Sequence, residues 1–169
     1  MSASKPTSST TPEVSVVIPI HNEEAILVES VVELCEGLDV LGLDYEVILA
    51  ENGSRDRTAE LAAGLVASMP RLRTLSIGTP NYGGALREGL RVARGRFVLC
   101  EEIDLCDLDF HRRALDLLRG EGDAIGEAPD LVIGLLNALC VKVAANFTKY
   151  IFMSSFFEVR FHDFHGAGF

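Results

Sequence analysis

Residues 97–109 read FVLCEEIDLCDLD. Phe97, Val98, Leu99 and Cys100 form a short apolar run of the kind a buried strand shows. Glu101, Glu102, Asp104, Asp107 and Asp109 follow directly. A strand that ends in acids sets hard oxygen ligands at the carboxyl edge of a sheet, where open α/β sheets bind their ligands. Carboxylates with room for water and phosphate suit Mg²⁺ or Mn²⁺. The plainer reading is a solvated acidic loop that leads into a helix, and this stretch alone leaves both open.

The sequence on either side repeats the pattern of a short apolar run followed by a polar loop. Val14–Ile20 (VSVVIPI), Tyr45–Ala50 (YEVILA), Leu72–Ile77 (LRTLSI) and Leu131–Gly134 (LVIG) read as further strands. Helical patterns lie between them. Ile26, Leu27, Val31, Leu34 and Leu38 keep a helical period up to Gly42, with Asn22 as the expected N-cap. A second helix, capped by Ser54 or Asp56, stops near Met69 ahead of Pro70. Ala85–Ala93 and Asp109–Leu118 read as two more. Short apolar strands alternating with helices imply an α/β fold with a mostly parallel sheet covered on both faces.

The ends read differently. Residues 1–12, MSASKPTSSTTP, read as a loose tail, and 13–169 as one domain. Residues 135–161 are apolar and helical in character, with Lys142 and Lys149 expected on one helix face. That helix would either pack in the core with snorkelling lysines or rest on a membrane or lipid. The chain ends at HDFHGAGF with no closing helix and reads as a C-terminally truncated domain.

Composition narrows the classes. A chain of 169 residues, 48% of them apolar, can build one real core. A net charge of −10 leaves no cationic excess to neutralise phosphates, so no nucleic-acid partner is expected. Cys35, Cys100, Cys106 and Cys140 form no CxxC pair and have no zinc spacing, which suits reduced thiols and a cytoplasmic setting. No apolar run approaches the roughly 20 residues a membrane span needs, so a soluble chain or one peripheral on a membrane surface is expected.

VSVVIPIHNEE, ILAENGSRDRT, NYGGALREGLRVARGRFVL and EEIDL stand in the order and spacing of known motifs. Over residues 14–134, with a weaker echo in HDFHG, the chain resembles the family 2 glycosyltransferases of the GT-A fold, a Rossmann-like three-layer α/β/α architecture. The nearest subgroup is the polyprenyl-phosphate (dolichol-phosphate) mannose or glucose synthases. The resemblance implies a nucleotide-sugar half over 13–134 and the start of the acceptor side over 135–169. It implies an inverting, metal-dependent hexosyltransferase that takes a UDP- or GDP-linked sugar to a polyprenyl phosphate at the cytoplasmic face of a membrane. It also implies a Mg²⁺ or Mn²⁺ ion. An ionised phosphate acceptor needs no general base, and no catalytic residue is assigned.

Site residues follow from the matched motifs. Pro19, His21, Asn22 and Glu23 correspond to residues that line the nucleobase and ribose pocket. Ala50, Glu51 and Asn52 fall in the second loop, where Asn52 stands in for an Asp that accepts from the base. Glu102, Ile103 and Asp104 correspond to the family's Asp-x-Asp, with Asp104 as the expected metal ligand and Glu102 as its partner. Glu101 and Asp109 are expected at the surface. Asn81, Gly83 and Gly84 match the third loop, and Arg87 and Arg91 follow it.

Several positions depart from the pattern. Cys106 replaces a Gln, with Asp107 as a substitute. Ile133-Gly134-Leu135-Leu136 lacks a basic residue, for which Lys142, Lys149 or Arg160 could stand in. Asp163 and His165 match an acceptor-side segment. These departures also suit an alternative, a non-catalytic nucleotide-sugar-binding relative or truncated remnant. A dinucleotide-binding or nucleotidyltransferase domain is disfavoured, because PIHNEE and not Gly-x-Gly-x-x-Gly follows the first strand.

Overall fold

The computed structural model describes residues 11–105, 107–120, 131–134 and 149–153, the last two segments as backbone. Expectations that rest on residues 1–10, Cys106, Leu135, Leu136, Cys140, Lys142, Arg160, Asp163 and His165 lie outside the described residues.

Strands β1 (Val14–Ile20), β2 (Tyr45–Glu51), β3 (Leu72–Ser76), β4 (Phe97–Cys100), β5 (Leu131–Gly134) and β6 (Lys149–Met153) form one six-stranded sheet in the order β3-β2-β1-β4-β6-β5. Every pairing is parallel. After β3 the chain returns past β1 to form β4, so the winding direction reverses between β1 and β4. The crevice at their carboxyl ends is therefore a topological switch point, where open α/β sheets bind ligands.

Helices α1 (Leu27–Val40), α2 (Thr58–Ser68), α3 (Tyr82–Val92) and α4 (Leu108–Arg119) cover the sheet. Leu27, Val31, Leu34 and Leu38 of α1, Ala62 and Leu65 of α2, and Ala114, Leu115 and Leu118 of α4 share one buried cluster with Val16, Ile18, Val47, Leu49 and Leu99. The opposite face carries Val17, Ile48, Val98 and Cys100, covered by Leu86, Leu90 and Ala93 from α3 and its C-terminal cap. Gly89 lets α3 lie close, since a Cβ there would fall 2.4 Å from Val17 Cγ1. Burial pushes the Cys100 thiol well up, and both Cys35 and Cys100 are buried free thiols.

Pro19 can sit in this central strand because of where its missing N–H would point. Val17 accepts from the Glu101 N–H and Ile20 accepts from the Asn52 N–H. Residue 19 thus faces the β4 side, beyond the last β1–β4 pair, Val17 with Cys100.

At the amino ends of the strands, Glu46 is buried and collects charge. Its carboxylate accepts from Ser15 Oγ at 2.7 Å, Arg94 N at 2.8 Å, Arg94 Nη2 at 2.8 Å and Arg73 Nη1 at 2.8 Å. Burial alone would raise this carboxyl, but the bonds from Arg94, Arg73 and Ser15 outweigh it and hold it at about 2. The cluster ties β1 and β2 to the α3–β4 turn, at the edge opposite the switch point.

Two expectations change. Asn22 does not cap α1, which begins at Leu27 behind Ile26 and has no side-chain cap. The Asn22 side-chain oxygen is used elsewhere, accepting from the Arg55 N–H. Lys149 is not helical. It opens β6, in which Tyr150, Ile151 and Phe152 have the β-branched and aromatic character of a strand. A short apolar run cannot be told from a buried helix by periodicity, which is why the segment reads as helical in isolation.

Candidate functional site

Four loops meet at the switch point, following β1, β2, β3 and β4. The first two are stitched to each other. Asn22 N donates to Ser54 Oγ (3.1 Å), Glu23 N to Thr58 Oγ1 (2.7 Å) and Glu24 N to Asp56 Oδ2 (3.2 Å). In return Arg55 N donates to Asn22 Oδ1 (2.8 Å) and Arg57 N to Glu24 Oε2 (3.0 Å). Asn22 makes this possible by adopting a left-handed conformation, φ 58°, which Asn tolerates better than most residues.

His21 lies between the loops. Its Nδ1 is 2.7 Å from the Asn52 carbonyl oxygen, and its Nε2 is 3.0 Å from Asn22 Nδ2. A carbonyl only accepts, so Nδ1 carries the proton and Nε2 accepts from the Asn22 amide.

The second loop turns inward. Glu51 and Asn52 are both buried. Glu51 accepts from Ser54 N and Ser76 Oγ, each at 2.5 Å. Burial acts to raise this carboxyl, but those two bonds prevail and hold it below the usual carboxylate range. Asn52 Oδ1 accepts from the Asn81 N–H, which joins the second loop to the third. Gly53, at φ 66°, is the point of closest approach, since a Cβ there would lie 2.8 Å from Pro80 N and Thr79 C. Asn81 caps α3 by accepting from Gly84 N at 2.9 Å. Tyr82 follows it, half-buried, its phenol pushed up to about 12 by burial and then by Glu102 and Cys100.

In the fourth loop the side chains alternate. Glu101 and Ile103 are buried, whereas Glu102 is half-buried and Asp104 exposed. Burial and then Asp104 raise the Glu102 carboxyl. Glu23, from the first loop, is raised by burial, then by Asp104 and Asp56, against an opposing pull from His21. Asp104 thus bears on both Glu23 and Glu102 across the β1–β4 crevice. Asp107 accepts from Phe110 N at 2.9 Å and caps α4. Among the described residues, no group of three or more His, Cys, Asp or Glu is arranged to hold a metal unaided.

Most of the residues singled out from the sequence therefore gather at one place, in different ways. Pro19 and Ala50 are paired backbone neighbours with buried side chains. Ile103 belongs to the core and supports the loop from below. Arg87 and Arg91 lie on α3 and pair with Glu88, at 3.7 and 2.8 Å. Asp109 is exposed, as expected, and pairs with Arg112 and Arg113. Glu101 corrects the reading of it as a surface group. It is 3% exposed, and its Oε1 lies 3.0 Å from Nε2 of the equally buried His111. The acid run hides this, because five carboxylates in sequence look alike until the strand's alternation is known. His111, Tyr82 and Ser76 were not singled out, whereas Thr58, which matches the second-loop motif, accepts from the Glu23 N–H. The only sequence signal for His111 is its place one turn into α4.

A family model, "Glycosyl transferase family 2", matches residues 15–110, more than half of the chain. The chain belongs to glycosyl transferase family 2. Among curated members, this family 2 chain is 34% identical over 94 residues to an undecaprenyl-phosphate 4-deoxy-4-formamido-L-arabinose transferase of Shewanella sediminis, which covers 54% of the chain and 28% of that protein. It is 37% identical over 94 residues to the enzyme of the same name from Pseudomonas paraeruginosa, with the same coverage. It thus spans less than a third of the length of the curated relatives it matches. Among solved structures, the 1–349 fragment of S. aureus TarS aligns with a TM-score of 0.57 at 20% identity, covering 78% of the chain and 38% of that fragment. The same fragment in complex with UDP-GlcNAc aligns equally well. This likeness bears on the fold alone, and agrees with the GT-A architecture expected from the motifs.

Proposed function

We propose that the chain is the nucleotide-sugar half of an inverting glycosyltransferase that transfers a sugar from a nucleoside-diphosphate sugar to a polyprenyl phosphate. The observation that carries this is the convergence of the β1, β2 and β4 loops at the switch point, where the charge of Asp104 bears on both Glu23 and Glu102. The relatives' names support a polyprenyl-phosphate acceptor, and the donor is UDP- or GDP-linked.

The donor set fits Mg²⁺ or Mn²⁺. Mg²⁺ is commonly held by one or two carboxylates together with substrate phosphates and water, and Glu102 and Asp104 supply two carboxylates beside an open crevice. Such a cation, when bound, offsets the charge that develops on the leaving diphosphate. Asp104 and Glu102 would hold it, while Glu23 and His21 would bound the nucleoside. Stitching the first two loops together before any ligand arrives reduces the ordering that binding would otherwise cost. No helix among the described residues is long and apolar enough to cross a membrane.

A second reading is favoured by one observation. The side-chain oxygens of Glu51 and Asn52 are already bonded within the protein, which suits a nucleotide-sugar binder without turnover. Calorimetry with UDP, GDP and their sugars, with and without Mn²⁺, tests the shared part. Binding of none of them would overturn both readings. Transfer from a radiolabelled donor to a polyprenyl phosphate separates them, since the binder alone would give no labelled lipid.

A further inference from the structure

The Glu101–His111 pair is the part of the fourth loop that ligand binding leaves unused. Glu101 is the first residue after β4 and His111 lies one turn into α4. Their 3.0 Å contact closes the base of the loop that carries Glu102 and Asp104. Both side chains are only 2% exposed. Beyond that contact, neither Glu101 oxygen nor His111 Nδ1 has a hydrogen-bond partner among the described residues. A buried polar pair so poorly satisfied costs stability compared with apolar residues of similar size. The same loop and helix otherwise send apolar groups inward, since Ile103, Ala114, Leu115 and Leu118 all belong to the buried core. The loop alternates, so Glu101 and Ile103 are its two inward anchors and Glu102 and Asp104 its two outward groups. Ile103 is held by non-directional packing. Glu101 is held by a contact with one partner at a set distance, and that partner is fixed on a capped helix whose His111 N–H bonds the Asp107 carbonyl at 3.0 Å.

We propose that Glu101 and His111 are positioning residues: their buried contact sets the height at which the loop presents Glu102 and Asp104, and so governs affinity for a nucleoside diphosphate. This rests on the proposed nucleotide-sugar site. It assigns no chemistry to the pair itself, which works through the loop.

The test uses the full chain and three variants. Glu101→Leu combined with His111→Leu removes the polar contact while keeping the site filled. Glu101→Asp shortens one arm by a methylene. Glu101→Gln keeps the length and an accepting oxygen. Denaturant unfolding measures stability, amide hydrogen exchange over residues 102–105 measures the loop, and calorimetry with UDP and GDP in Mn²⁺ measures binding. The double Leu variant is expected to be at least as stable as the parent, to exchange faster over 102–105, and to bind about 10-fold more weakly or worse, the usual scale for groups that orient ligand-holding side chains. Glu101→Asp is expected to behave likewise and decides the matter if the double variant does not fold. Glu101→Gln is expected to stay close to the parent in both loop exchange and binding. Unchanged exchange over 102–105, or unchanged affinity, in the double Leu variant overturns the proposal. A parent chain that binds neither diphosphate overturns the proposed function instead, and loop exchange alone then decides whether the pair sets the loop.

Discussion

Replacing Glu46 by Gln should weaken the fold by an amount that depends on pH. The folded protein holds this carboxyl at about 2, against 4.5 for the ordinary group. At about 1.4 kcal/mol per unit, that difference corresponds to roughly 3 kcal/mol of stability at neutral pH. Its partners Arg94 and Arg73 are 57% and 36% exposed, so solvent screens part of the attraction, and about 2 kcal/mol is the better expectation. The folded-state value is depressed, so the contribution is complete above the unfolded value and is lost as pH falls from about 4.5 towards 2. Urea unfolding of parent and Glu46→Gln at pH 7 and pH 3 reads this directly, because the other carboxylates cancel in the difference between the two proteins. The gap should be about 2 kcal/mol at pH 7 and less than half of that at pH 3. An equal gap at both values would refute the idea that the Glu46 charge holds the strand ends to Arg94.

Three further outcomes follow from the geometry. Asp104→Ala should abolish the Mn²⁺-dependent part of UDP binding in calorimetry while leaving the melting temperature unchanged, since Asp104 is exposed. Gly53→Ala should cost roughly 1–3 kcal/mol in denaturant unfolding, because the residue sits at φ 66° and its methyl would meet the Thr79–Pro80 peptide. Gly89→Ala should cost a similar amount in denaturant unfolding, about 1–3 kcal/mol, by pushing α3 off Val17.

The strands were legible because each is a compact apolar run, and β1 through β5 lie within a residue of where periodicity puts them. Strand β6 was not, because KYIFM lies inside the longer apolar stretch 135–161 with no Gly or Pro to set it off, and its partners β4 and β5 are distant in sequence. Asn22 misled for a different reason. Its side chain suits a cap, and only the position of Arg55, brought close by the β1–β2 pairing, gives it another use. The second loop shows the same limit. Glu51 and Asn52 read as groups that face a ligand, yet Ser54, Ser76 and Asn81 already engage their oxygens. Residue type reveals what a group can bond, but the neighbours that compete for it come from the fold. Glu101 is the sharpest instance, since its place among the acids conceals a buried contact with His111.

The arrangement of His21 bears on how a nucleobase would be chosen. Its Nδ1 proton is given to the Asn52 carbonyl and its Nε2 lone pair to the Asn22 amide. An imidazole with both nitrogens spoken for keeps only its flat face to offer. A flat face holds uracil and guanine by the same stacking and reads neither one's pattern of donors and acceptors. Discrimination between bases would then fall to backbone groups of the surrounding loops, so that exchanging His21 for another aromatic residue would alter how firmly a nucleotide is held far more than which nucleotide it is.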